Sequence, residues 1–229
     1  MKFNRIKIDR HLEDLLTKTE LKVILNEIIT PKMVGLGLTK YDGSYLWYDD
    51  FNDEGIKRVF HYNLMKGETG TFTYGNCFNF IPTYSNTATI KNHKTEKSTK
   101  LHFFERTEGW RKSFEGEPFT DKTSHWGEIG CRQSIEDLLE KYIPIIKTWW
   151  INNSTIDQNI KTANYQIEKG GGYKVNYPKV NYVKAFLIAK SGNKQEGIKL
   201  IEEEFKNLID YKPKFEKLKN QIIERIKKY

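Results

Sequence analysis

Apolar and polar residues alternate most regularly between Leu38 and Ile81. From Ile56 to Leu64 the even positions carry Ile56, Phe60, Tyr62 and Leu64, with Arg58 the single break, while the odd positions carry Lys57, Val59, His61 and Asn63. After the turn-rich Lys66-Gly67-Glu68-Thr69-Gly70 the alternation resumes with Phe72, Tyr74, Phe78 and Phe80. A period of two with aromatic enrichment predicts antiparallel strands with one buried face, because successive side chains point to opposite sides of a sheet. Upstream, Asp42-Gly43 between Leu38–Tyr41 and Tyr45–Asp49 suits a two-residue hairpin turn.

Helical periodicity brackets this region. Leu12, Leu15 and Leu16, then Leu21, Ile24, Leu25 and Ile28, predict an N-terminal helix that Pro31 should kink and that Gly35 or Gly37 should end. Tyr84–Thr99 is polar and reads as an exposed loop or hairpin tip, and Leu101–Arg106 as a short strand whose Phe103 and Phe104 cover an edge. Glu108–Cys131 reads as an irregular, aromatic-rich segment packed over the sheet. Helices return at Ser134, where Ser134 and Asp137 have capping-box spacing, and Ile135 to Ile146 forms an apolar stripe interrupted by Pro144. Gly170-Gly171-Gly172 is expected to be a flexible connector. Three amphipathic helices follow, around Val180–Ala189, Ile198–Leu208 and Phe215–Ile226. The expected fold class is α+β: an N-terminal helix, an antiparallel sheet of about four or five strands and a C-terminal helical section. Residues 1–131 would hold the helix and sheet, and 132–229 the helical section, packed on or beside it or continuous with it.

One part of this pattern resembles a known family. The helix ending in Pro31-Lys32-Met33, then Gly37-Leu38-Thr39-Lys40, then Tyr45-Leu46-Trp47-Tyr48, is similar to an uncharacterised bacterial domain-of-unknown-function family. In that family a proline-bearing helix leads into Gly-Phe-Lys-Lys and an antiparallel sheet. Leu38 stands where Phe is usual and Thr39 where Lys is usual. The likeness covers Leu21 to Pro82, with looser similarity in the C-terminal helices. It implies an α+β fold and supplies no established catalytic residues. Small bacterial proteins of this general kind look like immunity proteins encoded beside toxins.

Charge adds a second feature. The chain of 229 residues carries a formal net charge of +8, unevenly placed. Residues 91–112 hold seven basic and three acidic side chains, and 212–229 seven basic and two acidic. Such stretches attract nucleic acid or any acidic partner. Trp110, Arg111 and Lys112 in the first stretch and Lys217, Lys219 and Lys227 in the second are the candidate binding residues. Aromatic residues beside cations suit base stacking with phosphate contacts, although no signature of a nucleic-acid-binding module is present.

Catalytic patterns are missing. The histidines include His102 with Glu105 and His125 with Glu128 at three-residue spacing, but neither pair falls in a helix that would align two ligands. Asp49, Asp50, Asp53 and Glu54 match no cation-binding loop, and the glycine run lacks phosphate-loop spacing. His61 and Cys77 share the odd face of neighbouring strands, the one arrangement open to nucleophilic chemistry. No catalytic residue, metal site or cofactor is assigned. Two cysteines make no disulfide framework, no apolar run reaches membrane-spanning length, and Met1–Ile6 lacks the apolar core of a signal peptide. The sequence therefore reads as a cytoplasmic, non-catalytic bacterial protein that binds another protein, an immunity-like one in the family's image. The alternative is a nucleic-acid-associated protein using 91–112 and 212–229.

Overall fold

The structure is a computed structural model that describes residues 14–95 and 98–229, Tyr211 by its backbone alone. His11, Leu12 and the Met1–Ile6 stretch lie outside the described residues, as do Glu96 and Lys97 of the first basic stretch. Helix α1 (Lys18–Gly35) starts at Thr17, whose hydroxyl accepts the Glu20 N–H while the Glu20 carboxylate accepts the Thr17 N–H. This reciprocal cap satisfies donors that a helix start leaves open. Leu21, Ile24, Leu25 and Ile28 are buried, as their spacing predicts, and the helix continues through Pro31. Leu15 and Leu16 do not extend it: Leu15 bridges Trp126, and the Leu16 N–H donates to the His125 carbonyl.

The protein is α+β. Strands β1 (Lys40–Tyr41), β2 (Leu46–Tyr48), β3 (Ile56–Met65) and β4 (Thr69–Phe78) pair antiparallel in that order. A separate ribbon joins β5 (Thr83–Tyr84) to β6 (Ile90–Lys91). Strand β7 (Phe103–Arg106) completes a path of five along the outer edge of β4, which it shares with β8 (Thr123–Ser124). Residues 42–45 make the first connection, longer than the expected two-residue turn, because the Asp42 carboxylate accepts the N–H groups of Ser44, Tyr45 and Leu46.

Register explains the central alternation and its break. Phe60 faces Tyr74, Tyr62 faces Phe72 and Ile56 faces Phe78 across β3 and β4. Phe60, Tyr62, Phe72 and Tyr74 form one core with α1 and with α3 (Glu128–Ile151). Ile56 and Phe78, with Phe80, form a second core with α5 (Val180–Lys190), α6 (Lys194–Tyr211) and α7 (Phe215–Ile226). Arg58, opposite Asn76, lies between these pairs on the same face. The interruption at Arg58 is therefore a polar seam between two cores. Leu64, expected in the buried set, is 42% exposed at the hairpin end.

The opposite face is covered as well, which corrects the expectation of one buried face. Lys57, Val59, Thr71, Thr73 and Cys77 are all buried. Chain returning from the ribbon crosses them, with the Lys100 N–H reaching Cys77 Sγ and Lys57 Nζ reaching Thr99 Oγ1. Thr71 Oγ1 bonds to Thr107 and donates to the Asp121 carbonyl. Alternation tells which side a residue faces, not what long loops later lay over it.

The segment expected to be irregular contains α2 (Glu108–Ser113), β8 and the start of α3. No capping box forms at Ser134, since α3 already runs there and the Ser134 hydroxyl donates back to the Cys131 carbonyl. Residues 131 and 132 fall inside α3, and both cores draw on both sides of that point. Helix α4 (Ile156–Lys169) is an addition to the expected set, capped reciprocally by Thr155 and Gln158. The glycine run leads into a 3-10 turn, Gly171–Val175, that is tethered and not a loose connector. The Gly172 N–H donates to Glu115 Oε1 at 3.2 Å, and the Tyr173 hydroxyl to Glu105 Oε2 at 3.0 Å. Helices α5 and α6 approach so closely that a Cβ on Gly197 would lie 2.7 Å from the Ala185 carbonyl oxygen. Among the described residues no helix is long and apolar enough to cross a membrane.

Candidate binding groove

The two basic stretches partly converge. Phe80, Pro82, Ile90, Asn92 and Lys94 line one wall of a groove of about 1440 Å³. The even spacing of Ile90, Asn92 and Lys94 reflects extended chain, in which alternate residues share a face. Helix α7 forms the other wall through Lys217, Gln221 and Glu224, at helical three-and-four spacing, and Lys228 follows in the turn after it. Phe215, Leu218, Ile222 and Ile226 are buried in the second core and hold α7 in place. Arg225 ties the walls together by donating to Asn92 Oδ1 at 2.7 Å. The Tyr229 hydroxyl donates to the Phe80 carbonyl at 2.5 Å.

The groove's charge is set by pairs on its outer side. Glu216 and Glu224 line it, but Lys219 bonds Glu216 at 2.7 Å and Lys227 bonds Glu224 at 2.6 Å. Such exposed pairs contribute little to stability. Here their effect is local, because both groove carboxylates are neutralised. Among the described residues Lys94, Lys217 and Lys228 have no ion-pair partner, which leaves the groove cationic. Of the candidate residues, Lys217 lines the groove, and Lys219 and Lys227 act on it through the glutamates.

Trp110, Arg111 and Lys112 lie elsewhere, on α2, and none of them lines the groove. The Arg106 guanidinium sits 4.9 Å from the Trp110 ring centroid. Arg111 lies 3.9 Å from Glu105, 3.6 Å from Glu115 and 5.7 Å from the Tyr173 ring centroid. Lys112 pairs with Glu108 at 3.2 Å and Glu117 at 3.9 Å. Burial pushes the Glu105 carboxyl above its ordinary range, against the Tyr173 hydroxyl bond and the charge of Arg111.

The remaining chemical candidates are separated or engaged. Cys77 pairs with Lys57 and His61 with Thr73, four positions apart along the ladder, so the thiol and imidazole do not meet. Burial pushes the Cys77 thiol up to about 11. His102 accepts the Phe78 N–H through Nδ1 at 3.1 Å, and burial lowers its affinity for a proton. Asp49 binds Arg58, Asp50 binds Lys40, and Glu54 accepts the first N–H of α4 at Ile156. Among the described residues no three His, Cys, Asp or Glu side chains converge on a metal-sized site.

The chain matches no family model, no curated protein and no solved structure. Lys94 and Lys228, not singled out in the sequence, belong to the groove. For Lys228 a signal existed, in its spacing from Lys217, Gln221 and Glu224. For Lys94 there was none, because only the fold brings the ribbon to α7.

Proposed function

We propose that this is a non-catalytic binding protein that receives an acidic segment of another protein in the groove between α7 and the β5–β6 ribbon. The observation that carries the reading is the convergence of Lys94, Lys217 and Lys228, without ion-pair partners among the described residues, on one groove. From Lys217 to the end of α7 at Ile226 is about 14 Å at the helical rise of 1.5 Å per residue, with Lys228 two residues further on, which suits several residues of extended peptide. Ile90, half-buried, supplies apolar contact beside the charges. An immunity-like role fits this charge toward an acidic toxin domain, since complementary potentials steer and select partners.

Two features favour a protein segment over nucleic acid. Base stacking needs an open aromatic face. In the groove Phe80 is only 9% exposed, and its ring meets Tyr229 edge-on at 5.9 Å. Asn92 and Gln221 offer donors and acceptors suited to peptide backbone. The separation of Cys77 from His61, with the thiol held protonated, supports the non-catalytic part of the reading.

The test is a fluorescence titration of an Asp/Glu-rich peptide containing Leu and Phe, run beside single- and double-stranded oligonucleotides at low salt. Peptide binding should fall at least about tenfold when Lys94, Lys217 and Lys228 become Gln, each lost charge pair contributing about 0.5 kcal/mol or more in a partly enclosed groove. Lys219→Gln with Lys227→Gln should also weaken it, by releasing Glu216 and Glu224 into the groove. Micromolar oligonucleotide binding that disappears at high salt, and that Lys217→Gln, Lys219→Gln and Lys227→Gln together abolish, would replace the protein partner with nucleic acid.

A further inference from the structure

The polar seam between the two cores adjoins a cavity of about 510 Å³, within the size range of small-molecule sites. The C-terminal end of α1, the β2–β3 connection and the α3–α4 junction bound it. On its wall Arg58 is fixed from behind. Its Nε donates to Asp49 Oδ2 at 2.5 Å, its Nη1 donates to the Leu36 carbonyl at 3.0 Å, and the guanidinium lies 5.7 Å from the Trp150 ring centroid. Gly37 makes room for this arrangement: its φ is +88°, and a Cβ there would lie 2.8 Å from Arg58 Nη2. Among the described residues Arg58 Nη2 makes no hydrogen bond.

The remaining polar groups sort by what they already hold. Asp49 is answered by Arg58 and Asp50 by Lys40. Lys147, exposed on α3 at the rim, has no ion-pair partner among the described residues. Asn153 lines the cavity and is 2% exposed. Its Nδ2 donates to the Trp149 carbonyl, and its own backbone carbonyl accepts from Asn76 and Asn159. Among the described residues its Oδ1 is buried without a partner. A buried acceptor in that state calls for a donor from outside the chain. A preorganised guanidinium edge and a second cation thus line the cavity, and an unanswered acceptor lies buried in the wall at Asn153.

We infer that this cavity binds a small carboxylate bearing a hydrogen-bond donor beside the carboxyl group, an α-amino or α-hydroxy acid. The planar fork of Arg58 matches a carboxylate, and holding it in place beforehand removes the cost of ordering it on binding. Lys147 adds attraction at the entrance. The amino or hydroxyl group donates to Asn153 Oδ1. The site is separate from the α7 groove and stands without it.

Isothermal titration of the full chain tests this with individual amino acids and individual 2-hydroxy acids. Acetate, methylamine and inorganic phosphate are the controls, and the two series separate the two sources of the donor. At least one member of either series should bind about tenfold or more tightly than acetate, the ordinary effect of satisfying one buried acceptor. Arg58→Lys keeps the charge but loses the fork and should weaken binding about tenfold or more. Lys147→Glu, at an exposed position, should weaken it about threefold or more by reversing a rim charge. If Arg58→Lys fails to fold by circular dichroism, Lys147→Glu decides alone. No binding in either series at millimolar concentration, equal binding of acetate or phosphate, or affinity unchanged by the folded variants would overturn the inference.

Discussion

Truncating Phe60 to alanine measures whether the central alternation reports the core. Phe60 is fully buried, tilted against Phe72 at 4.9 Å between ring centroids and edge-on to Trp47 at 5.8 Å. Burial of a phenylalanine side chain contributes about 1.5–3 kcal/mol, and each aromatic contact about 0.5–1.5 kcal/mol more. Phe60→Ala should therefore cost about 3–5 kcal/mol, the range found when buried aromatics are truncated. Leu64, on the same strand face but 42% exposed, provides the contrast. Leu64→Ala should change stability by about 0.5 kcal/mol or less. Urea unfolding followed by circular dichroism reads both. With a slope of about 2 kcal/mol per molar, the Phe60 variant should lose about 2 M in its midpoint. A loss below about 1 kcal/mol for Phe60→Ala, or equal losses for the two variants, would refute the packing described.

Two other predictions follow from buried ionisable groups. Burial holds the Glu105 carboxyl above its unfolded value, so its contribution to stability is fully present below the unfolded value and is lost as pH rises through the folded one. Relative to Glu105→Gln, the parent protein should gain stability as pH falls from neutral into the carboxyl range; urea midpoints showing no gain, or a loss, would contradict the assignment. The Cys77 thiol, pushed up to about 11 by burial, should resist alkylation at pH 8 in the folded protein and react once urea unfolds it. Mass spectrometry showing rapid native labelling at Cys77 would place it at the surface instead.

Local patterning carried much of the architecture. Leu21, Ile24, Leu25 and Ile28 mark the buried side of α1, the even positions of β3 and β4 mark their shared face, and the 215–226 stripe marks the buried side of α7. These features depend on contacts between near neighbours, and near neighbours are what periodicity records. Helix α4 escaped notice because a largely polar surface dilutes the signal of Ile156, Ile160 and Ala163, although the Thr155–Gln158 cap was legible. The capping box expected at Ser134 failed for the converse reason. Its spacing is correct, but α3 begins six residues earlier at Glu128, and a serine inside a helix turns to the carbonyl behind it.

The sequence by itself determined which residues share a face on each element and which stretches are basic, because side-chain chemistry and chain geometry act there over a few residues. Only the tertiary structure decided that Arg58 marks a seam between two cores and that the outer face of the sheet is covered. It also brought Lys94 to α7, left Trp110, Arg111 and Lys112 on a different surface, and parted His61 from Cys77. Each of these depends on pairing between segments far apart in the chain. Such pairing is fixed by register and by the shape of the whole core, which no local pattern encodes.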